Sequence, residues 1–243
     1  HINAHETGAL ESVGHKCLTL PTSNGKITAK QVDTLIQEHY SDASSEHTVQ
    51  PGIVYISFPT ESGTLYSKQE LTELYTVCQN HDIPLFIDGA RLGYGLVAKK
   101  NDVTFEDIAN LCDVCYIGGT KVGALFGECI VILNDLYKKD FRYAIKQHGG
   151  MLAKGRMLGI QFEELFKDNR YLTISKHAID MADILTEGFQ SKGYHFYFPA
   201  ETNQLFPIFE NAKLEELSKE FAFTPWAKID ETHTAVRFVT SFA

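Results

Sequence analysis

The stretch GIVYISFPTESGTLYSKQELTELYTVCQNHDIPLFID, residues 52 to 88, carries the pattern from which the fold can be predicted. It begins and ends with short, continuously apolar runs, at 52–58 and 84–88, as expected for strands that are covered on both faces. Between the two runs, Ser67 and Glu70 form a capping box, and the apolar residues that follow fall on one face of a helix. The stretch therefore predicts a strand, a helix and a second strand.

The same arrangement continues towards the C-terminus. Two more apolar runs, DVCYIG at 113–118 and ECIVIL at 128–133, predict two further strands. A short helical segment, TFEDIANL, precedes the first of these runs, and Thr104 is placed to cap it. The alternation of strands and helices predicts an α/β domain with a largely parallel sheet and helices on both sides.

The pattern changes near residue 134, where long helical segments replace the alternation. The longest, YLTISKHAIDMADILTEGFQSKG, has Gly193 at its end, where a helix C-cap is expected. The segments that follow it are typical of a smaller α+β domain. We expect a large domain over 1–150, connecting helices over 151–192 and a small C-terminal domain over 193–243.

The composition is that of an ordinary globular protein, with 44% hydrophobic and 22% charged residues in a chain of 243. A net charge of -9 would repel nucleic acid, and no apolar run approaches the roughly 20 residues that span a bilayer. Neither is therefore an expected partner, and the default location is the cytoplasm. Five scattered cysteines favour reduced thiols, and Cys112 and Cys115 lack the second pair that a metal site of this type needs.

Polar residues follow three of the predicted strands directly. In open α/β sheets, ligands bind beyond the carboxyl ends of the strands, where loops and helix N-termini converge. We therefore expect one crevice to be rimmed by six of these residues: Thr60, Glu61, Asp88, Arg91, Thr120 and Lys121.

Two of these residues have several interpretations from position alone. Asp88 ends an apolar strand, where an unpaired charge is costly, so it pairs with Arg91, caps a helix or holds a bound heterocycle in its protonated form. Lys121 is either a surface residue or a desolvated nucleophile that forms a Schiff base with a carbonyl, with the neighbouring glycines leaving clearance for the ligand. A nucleotide-phosphate loop is disfavoured, because Val122 follows the lysine and the glycine spacing is wrong.

Six motifs then occur in an order that is typical of one family. They are HINAHETGA (1–9), PTESGTLY (59–66), FIDGAR (86–91), GGTKVG (118–123), GGMLAKGRMLGIQF (149–162) and AVRFVT (235–240). Together they resemble the pyridoxal-phosphate (PLP) enzymes of fold type I, specifically the threonine aldolase and aromatic amino acid β-eliminating lyase group. The resemblance extends over nearly the whole chain and implies the PLP-dependent transferase-like fold of the aspartate aminotransferase type.

The resemblance implies a role for each residue that matches a family motif. Lys121 would hold PLP as a Schiff base, and Asp88 would pair with the pyridine nitrogen, so that the ring can accept electrons from the substrate α-carbon. His1 matches a histidine that stacks on the ring. Arg91 and Arg237 match two arginines that hold the substrate carboxylate, a task suited to a planar, bidentate guanidinium. Further candidates for cofactor contacts are Thr60, Thr120 and Lys154.

The chain departs from the family pattern in two places. Many threonine aldolases have a histidine near the substrate hydroxyl where this chain has Glu61, so the base for that hydroxyl is open between Glu61, His5 and a water molecule. The chain also opens with His1 rather than methionine, and it lacks the N-terminal loop that cradles the cofactor phosphate in family members. We therefore expect an N-terminal part to be missing and the site to be incomplete.

The resemblance implies an aldolase that cleaves the Cα–Cβ bond of L-threonine, L-allo-threonine or a related β-hydroxy amino acid to glycine and an aldehyde. The main alternative is β-elimination, in which Lys121 removes the α-proton and the products are a keto acid and ammonia. A remoter alternative is a non-catalytic α/β binding module in which the lysine is structural. Because fold type I sites are built at a dimer interface, the resemblance also implies a homodimer or a homotetramer.

Overall fold

A computed structural model describes all 243 residues of the chain. Its helices, in chain order, are α1 (Ala9–Ser12), α2 (Ala29–Ser41), α3 (Lys68–Asn80), α4 (Leu92–Leu96), α5 (Phe105–Asn110), α6 (Phe141–Gln147), α7 (Arg156–Phe166), α8 (Arg170–Ser191) and α9 (Asn211–Leu217). Its strands are β1 (Val54–Ser57), β2 (Leu85–Gly89), β3 (Val114–Ile117), β4 (Cys129–Ile132), β5 (Gln204–Leu205), β6 (Ile208–Glu210), β7 (Thr224–Lys228) and β8 (His233–Val239). None of the helices combines the length and the apolar character that crossing a bilayer requires.

The first sheet contains the four strands of the N-terminal half in the order β1-β2-β3-β4. β1, β2 and β3 run parallel, with α3 connecting the first two, and β4 joins β3 in the antiparallel direction. Ser57, Asp88 and Tyr116 are neighbours in register at the carboxyl ends of the parallel strands. The prediction of a mainly parallel α/β sheet is therefore confirmed, and all four predicted strands are present.

Side-chain caps begin three helices of this domain, two of which the sequence predicts. At the start of α3, the Glu70 N–H donates to the Ser67 hydroxyl, and the Glu70 carboxylate accepts from the Ser67 N–H in return. Thr104 caps α5 in the same way. α2 begins with a third capping box, formed by Thr28 and Gln31, which the sequence analysis did not identify. Each of these caps satisfies backbone N–H groups that the helix itself leaves free.

The two faces of the first sheet differ in burial, so the prediction that helices cover both is wrong for this chain. One face packs against α2, α3, α4, α5 and α8 in the main hydrophobic core through Val54, Ile56, Leu85, Ile87, Cys115 and Ile117. The opposite face carries Tyr55, Phe86, Val114 and Tyr116, which are only partly buried, and Ile130, which is exposed. Because the strands are continuously apolar, both faces of the sheet are apolar. The helices of this chain cover only one of these faces.

The long helical pattern from residue 134 onwards forms separate helices. The segment that the sequence predicts as one helix divides into a 3-10 turn, Asp135–Tyr137, and α6. Between α7 and α8, Asp168 and Asn169 adopt left-handed backbone conformations (φ 52° and 58°), which interrupts the helix. α8 ends as predicted, with Gly193 in the left-handed conformation (φ 83°) directly after its cap.

A second sheet follows α8, with β8 pairing antiparallel to β5, β6 and β7. The aromatic segment YHFYF, residues 194–198, which its apolar pattern predicts as a strand, forms only a single bridge between Phe196 and Pro207. β7 was not predicted, because Pro225 interrupts its pattern and the register shifts there. The order of a helical segment and then strands agrees with a small α+β unit, whereas the exact domain boundaries stay predictions.

Candidate active site

A cavity of about 600 Å³ lies beyond the carboxyl ends of the parallel strands, a size typical of small-ligand sites. Its lining consists of His1, His5, Glu61, Arg91, Lys121, Thr224, Pro225, Trp226 and Arg237. Glu61, Arg91 and Lys121 come from the loops after β1, β2 and β3, so their expected convergence is confirmed. The second sheet contributes the remaining wall, because Thr224, Trp226 and Arg237 lie on β7 and β8.

The loop that carries Glu61 is held in place by the second sheet. The buried Gln204 side chain donates from Nε2 towards the carbonyl oxygens of Thr60 and Glu61, each 3.4 Å away. The Thr202 hydroxyl donates to the Gly63 carbonyl at 3.0 Å, and Gly63 has a left-handed φ of 75° that favours glycine. The backbone at Glu61 is therefore fixed by residues far away in sequence.

Thr60, a predicted cofactor contact, is buried inside this loop and does not line the cavity. Its hydroxyl forms a hydrogen bond with the Thr64 hydroxyl at 2.7 Å and accepts from the Thr64 N–H at 3.2 Å. The structure thus gives Thr60 a role in shaping the loop. Its contact with a cofactor stays a prediction.

The carboxylate of Glu61 lies between the two predicted substrate-binding arginines. Arg91 Nη1 donates to Glu61 Oε1 at 3.0 Å, and Arg237 Nη1 lies 3.9 Å from Oε2. His1 also approaches this carboxylate, with Nε2 at 3.9 Å, although its closer partner is Glu6 at 3.0 Å. Arg91 and Arg237 are therefore close enough in space to act on one anion.

Arg237 extends from β8 into the cavity beside Trp226. Its guanidinium carbon lies 5.7 Å from the centre of the Trp226 ring, in a cation–π arrangement. Its Nε is buried and has no hydrogen-bond partner. An unsatisfied buried donor of this kind is costly to the fold. The Arg237 side chain as a whole is 26% exposed and belongs to the cavity lining.

Asp88 lies at the end of β2 and is buried, with both of its carboxylate oxygens hydrogen-bonded. The Ala90 N–H donates to Oδ1 at 2.8 Å, and the Tyr55 hydroxyl donates to Oδ2. Arg91 does not pair with Asp88, since its partner is Glu61. The salt bridge that position alone allowed for Asp88 is therefore absent. Asp88 itself is not among the residues that line the cavity.

Tyr55 is an unpredicted partner in this arrangement. Burial, and then the charge of Asp88, raises the pKa of the Tyr55 hydroxyl above its ordinary value, so Tyr55 remains a proton donor to the carboxylate. The ring of Tyr55 stacks on that of Phe86, with 5.3 Å between the ring centres. Tyr55 and Asp88 come together because they occupy nearby positions on the same face of the sheet, on the adjacent strands β1 and β2. No local sequence signal indicates the pairing of Tyr55 with Asp88.

Lys121 lies in a short 3-10 turn, Thr120–Val122, that follows β3. The Tyr94 hydroxyl donates to the Lys121 backbone carbonyl and thereby anchors the turn, and burial raises the pKa of Tyr94 to about 12. The side chain of Lys121 reaches the cavity but is exposed. The expected desolvation of this amine is therefore wrong for the chain as it stands, because no part of the chain covers it.

Glu128, directly before β4, holds the residues that precede the lysine. It accepts hydrogen bonds from the Gly119 N–H and from both the N–H and the hydroxyl of Thr120. Thr120 is consequently engaged with Glu128 and does not line the cavity. Lys154 is exposed near the start of α7 and also lies outside the lining. The predicted cofactor contacts of Thr120 and Lys154 stay predictions.

The glycines around Lys121 serve backbone packing, which corrects the expectation that they leave clearance for a ligand. A Cβ atom at Gly118 would overlap the carbonyl of Ala90, and one at Gly119 would lie 2.7 Å from the carbonyl oxygen of Gly127. Gly123 has a left-handed φ of 99° that a side chain would strain. The motif is thus explained by the close approach of neighbouring chain segments.

The cavity fits a phosphorylated aldehyde such as PLP in charge and chemistry. It contains three permanent cations, on Arg91, Lys121 and Arg237, against the one carboxylate of Glu61, and therefore favours an anionic ligand. The amine of Lys121 is accessible to a carbonyl carbon, and Arg91 and Arg237 line the same cavity. Asp88, in a buried position one strand away, supplies a carboxylate of the kind that pairs with a protonated pyridine nitrogen.

The fold and the site together define a class of protein, the fold type I PLP enzymes. The features of this class that the chain shows are a mainly parallel α/β sheet, a lysine after one strand, an aspartate at the end of the neighbouring strand and a smaller second sheet. A family model described as Beta-eliminating lyase matches residues 1–212, and the chain belongs to this family. Enzymes of the family are PLP-dependent.

Several relatives are threonine aldolases. The chain is similar to the low specificity L-threonine aldolase of Pseudomonas sp. (strain NCIMB 10558), with 31% identity covering 89% of this chain and 62% of that protein. It is similar to the solved structure of Leishmania major threonine aldolase, with 44% identity and a TM-score of 0.95, covering 100% of this chain and 70% of that one. A putative L-allo-threonine aldolase from Listeria monocytogenes, at 21% identity and a TM-score of 0.73, shares the fold over 99% of this chain and 67% of its own. The chain spans less than two thirds of the length of the Pseudomonas relative.

Proposed function

We propose that the protein is a PLP-dependent aldolase that cleaves L-threonine, L-allo-threonine or a related β-hydroxy amino acid to glycine and an aldehyde. The observation that carries this proposal is the convergence of Lys121, Arg91 and Arg237 on one cavity, in a chain similar to threonine aldolases. The amine of Lys121 matches the carbonyl group of the cofactor. The guanidinium groups of Arg91 and Arg237 match the carboxylate of the amino-acid substrate.

In this proposal Lys121 holds PLP covalently through its amine, Asp88 pairs with the pyridine nitrogen, and His1 lies against the face of the ring. When bound, PLP supplies an electron sink for the pair of electrons released at the substrate α-carbon. The hydrogen bonds from Ala90 and Tyr55 fix the carboxylate of Asp88 in one orientation. Asp88 thus needs no rearrangement to pair with the pyridine nitrogen.

Arg91 and Arg237 would bind the α-carboxylate of the substrate from two sides. Fixing this group orients the Cα–Cβ bond, and orientation decides which bond of the α-carbon breaks. The candidates for removing the proton of the β-hydroxyl are Glu61, His5 and a water molecule. Both Glu61 and His5 line the cavity, which supports either assignment.

A second candidate reaction is β-elimination, which the description of the matching family favours. There, the Lys121 amine would remove the α-proton and the β-substituent would leave, giving a keto acid and ammonia. Incubation with L-threonine and with L-serine discriminates between the two reactions. We expect glycine with the corresponding aldehyde, whereas a keto acid with ammonia would establish elimination.

The test of the cofactor assignment is the covalent attachment of PLP to one lysine. After borohydride reduction of the PLP-treated protein, we expect peptide mass spectrometry to find the pyridoxyl group on Lys121. Lys121→Ala should lose this label and the activity. Lys176→Ala is the matched control, because Lys176 is an exposed lysine on α8 paired with Asp180, outside the cavity. Labelling that persists in Lys121→Ala would refute the assignment.

We also infer that the protein acts as a homodimer or homotetramer in the cytoplasm. Several large apolar side chains are exposed from the turn before β4 to the start of α7, which is typical of an interface: Leu125, Leu136, Tyr143, Leu152 and Met157. All five cysteines are free thiols, which agrees with a reducing compartment.

A further inference from the structure

A carboxylate of the chain itself lies between the two arginines to which the proposed function assigns the substrate carboxylate. The two oxygens of Glu61 face different arginines, with Oε1 at 3.0 Å from Arg91 and Oε2 at 3.9 Å from Arg237. The side chains of Glu61 and Arg91 are largely buried, with exposed fractions of 25% and 12%. The contact is thus a partly buried ion pair at the centre of the cavity rather than a bridge on the surface.

The side chain of Glu61 can leave this position without a rearrangement of its loop. Gln204 donates to the Glu61 carbonyl and Thr202 to the Gly63 carbonyl, so the backbone is held from outside the cavity. The carboxylate itself has no hydrogen-bond donor other than Arg91. Rotation of one side chain is therefore enough to uncover both guanidinium groups.

Arg237 has donor capacity that Glu61 does not use. Its Nη1 is 3.9 Å from Glu61, beyond ordinary hydrogen-bond distance, and its buried Nε has no partner. The α-carboxylate of an amino acid has two acceptor oxygens with the charge and geometry of the Glu61 carboxylate. It can bind both arginines more closely than Glu61 does.

We propose that Glu61 is an internal carboxylate that occupies the α-carboxylate site formed by Arg91 and Arg237 and is displaced when an amino acid binds. This inference rests on the proposed function for the class of ligand. The exchange leaves the charge next to the arginines unchanged, since one carboxylate replaces another. In the free protein, the Glu61 carboxylate also keeps the two like-charged guanidinium groups together. A ligand without a carboxylate cannot displace Glu61.

The experiment measures amino-acid binding to the protein freed of PLP, so that no covalent chemistry contributes. Trp226 is the only tryptophan of the 243 residues and lies against Arg237, so its fluorescence reports on the site. L-Serine is the probe, and ethanolamine, which lacks only the carboxylate, is the matched ligand. We expect L-serine alone to change the fluorescence, and Glu61→Gln to lower its dissociation constant roughly tenfold because the competing charge is gone.

Glu6→Gln is the control variant, because Glu6 is a carboxylate of the same region that contacts His1 and neither arginine. It should leave the dissociation constant of L-serine unchanged. Glu61→Asp keeps the charge but is one methylene shorter, so its dissociation constant for L-serine should lie between those of the wild type and Glu61→Gln. If Glu61→Gln fails to fold, Glu61→Asp provides the test. Equal or weaker binding of L-serine by both Glu61 variants, or no response in any variant, would overturn the proposal. Labelling of Lys121 tests the proposed function separately.

Discussion

At the residue scale, Asp88 shows how a buried charge is stabilised in this protein. Its carboxylate receives one hydrogen bond from the Ala90 N–H and one from the Tyr55 hydroxyl, and no cation of the chain pairs with it. Hydrogen bonds to the ionised form offset part of the cost of its burial. The remaining capacity of the carboxylate suits the protonated nitrogen of a ligand.

Tyr55→Phe is expected to weaken both the fold and cofactor binding. It leaves one oxygen of a buried carboxylate without its donor, which should lower the free energy of unfolding by about 1–3 kcal/mol in urea denaturation. Equilibrium titration should also show weaker binding of PLP. Tyr40→Phe is the control, because the Tyr40 hydroxyl is on the surface and only accepts from Gln50. Equal effects of the two substitutions would contradict the role of Tyr55.

At the scale of elements, the unit of β1, α3 and β2 positions two of the residues that define the site. Its helix begins at the Ser67 cap, and its second strand ends at Asp88. Leu71, Leu74 and Cys78 bury the inner face of the helix against the sheet. The start of the helix therefore sets how its apolar face meets the strands.

Ser67→Ala should destabilise the protein by about 1 kcal/mol, the typical value of a helix N-cap. The reason is the loss of the acceptor for the Glu70 N–H. Thr72→Ala, in the middle of the same helix, removes an exposed hydroxyl that bonds only to the Lys68 carbonyl and should be nearly neutral. Thermal or urea unfolding of the two variants provides the comparison. The cap would be unimportant if Ser67→Ala were no less stable than Thr72→Ala.

At the scale of the whole molecule, the chain leaves much apolar surface open. One face of the first sheet is only partly buried, and large apolar side chains are exposed between β4 and α7. Leu125, in the turn before β4, is 87% exposed. Surfaces of this kind are typical of contacts between subunits, and the exposed Lys121 lies only four residues before Leu125.

Leu125→Glu should therefore shift the protein towards monomers, because a charge is costly to bury in an apolar interface. Size-exclusion chromatography with light scattering measures the mass at several concentrations. Ile184→Glu, which places the same charge at a 60% exposed position of α8, is expected to leave the assembly intact. A monomeric wild-type protein, or an intact assembly in Leu125→Glu, would contradict this interface.

The local parts of the fold, and the convergence of Glu61, Arg91 and Lys121 on one cavity, were predictable from the sequence. Apolar runs of four to seven residues and capping boxes act over short distances along the chain, which is why the strands and the starts of α3 and α5 were found. β7 was not predicted, because Pro225 interrupts its apolar pattern. The covering of the sheet was predicted wrongly, since apolar strands do not show which of their faces the same chain buries.

The sequence by itself determined which groups are available: a lysine, an aspartate and two arginines, each placed by its motif on a strand or in the loop after one. Only the tertiary structure decided their partners. It paired Arg91 with Glu61 rather than Asp88, gave Asp88 the hydroxyl of Tyr55, and placed Trp226 beside Arg237. The physical reason is that a charge placed in the fold takes its partner from whichever segments the sheets bring within hydrogen-bond distance, however distant they are in sequence.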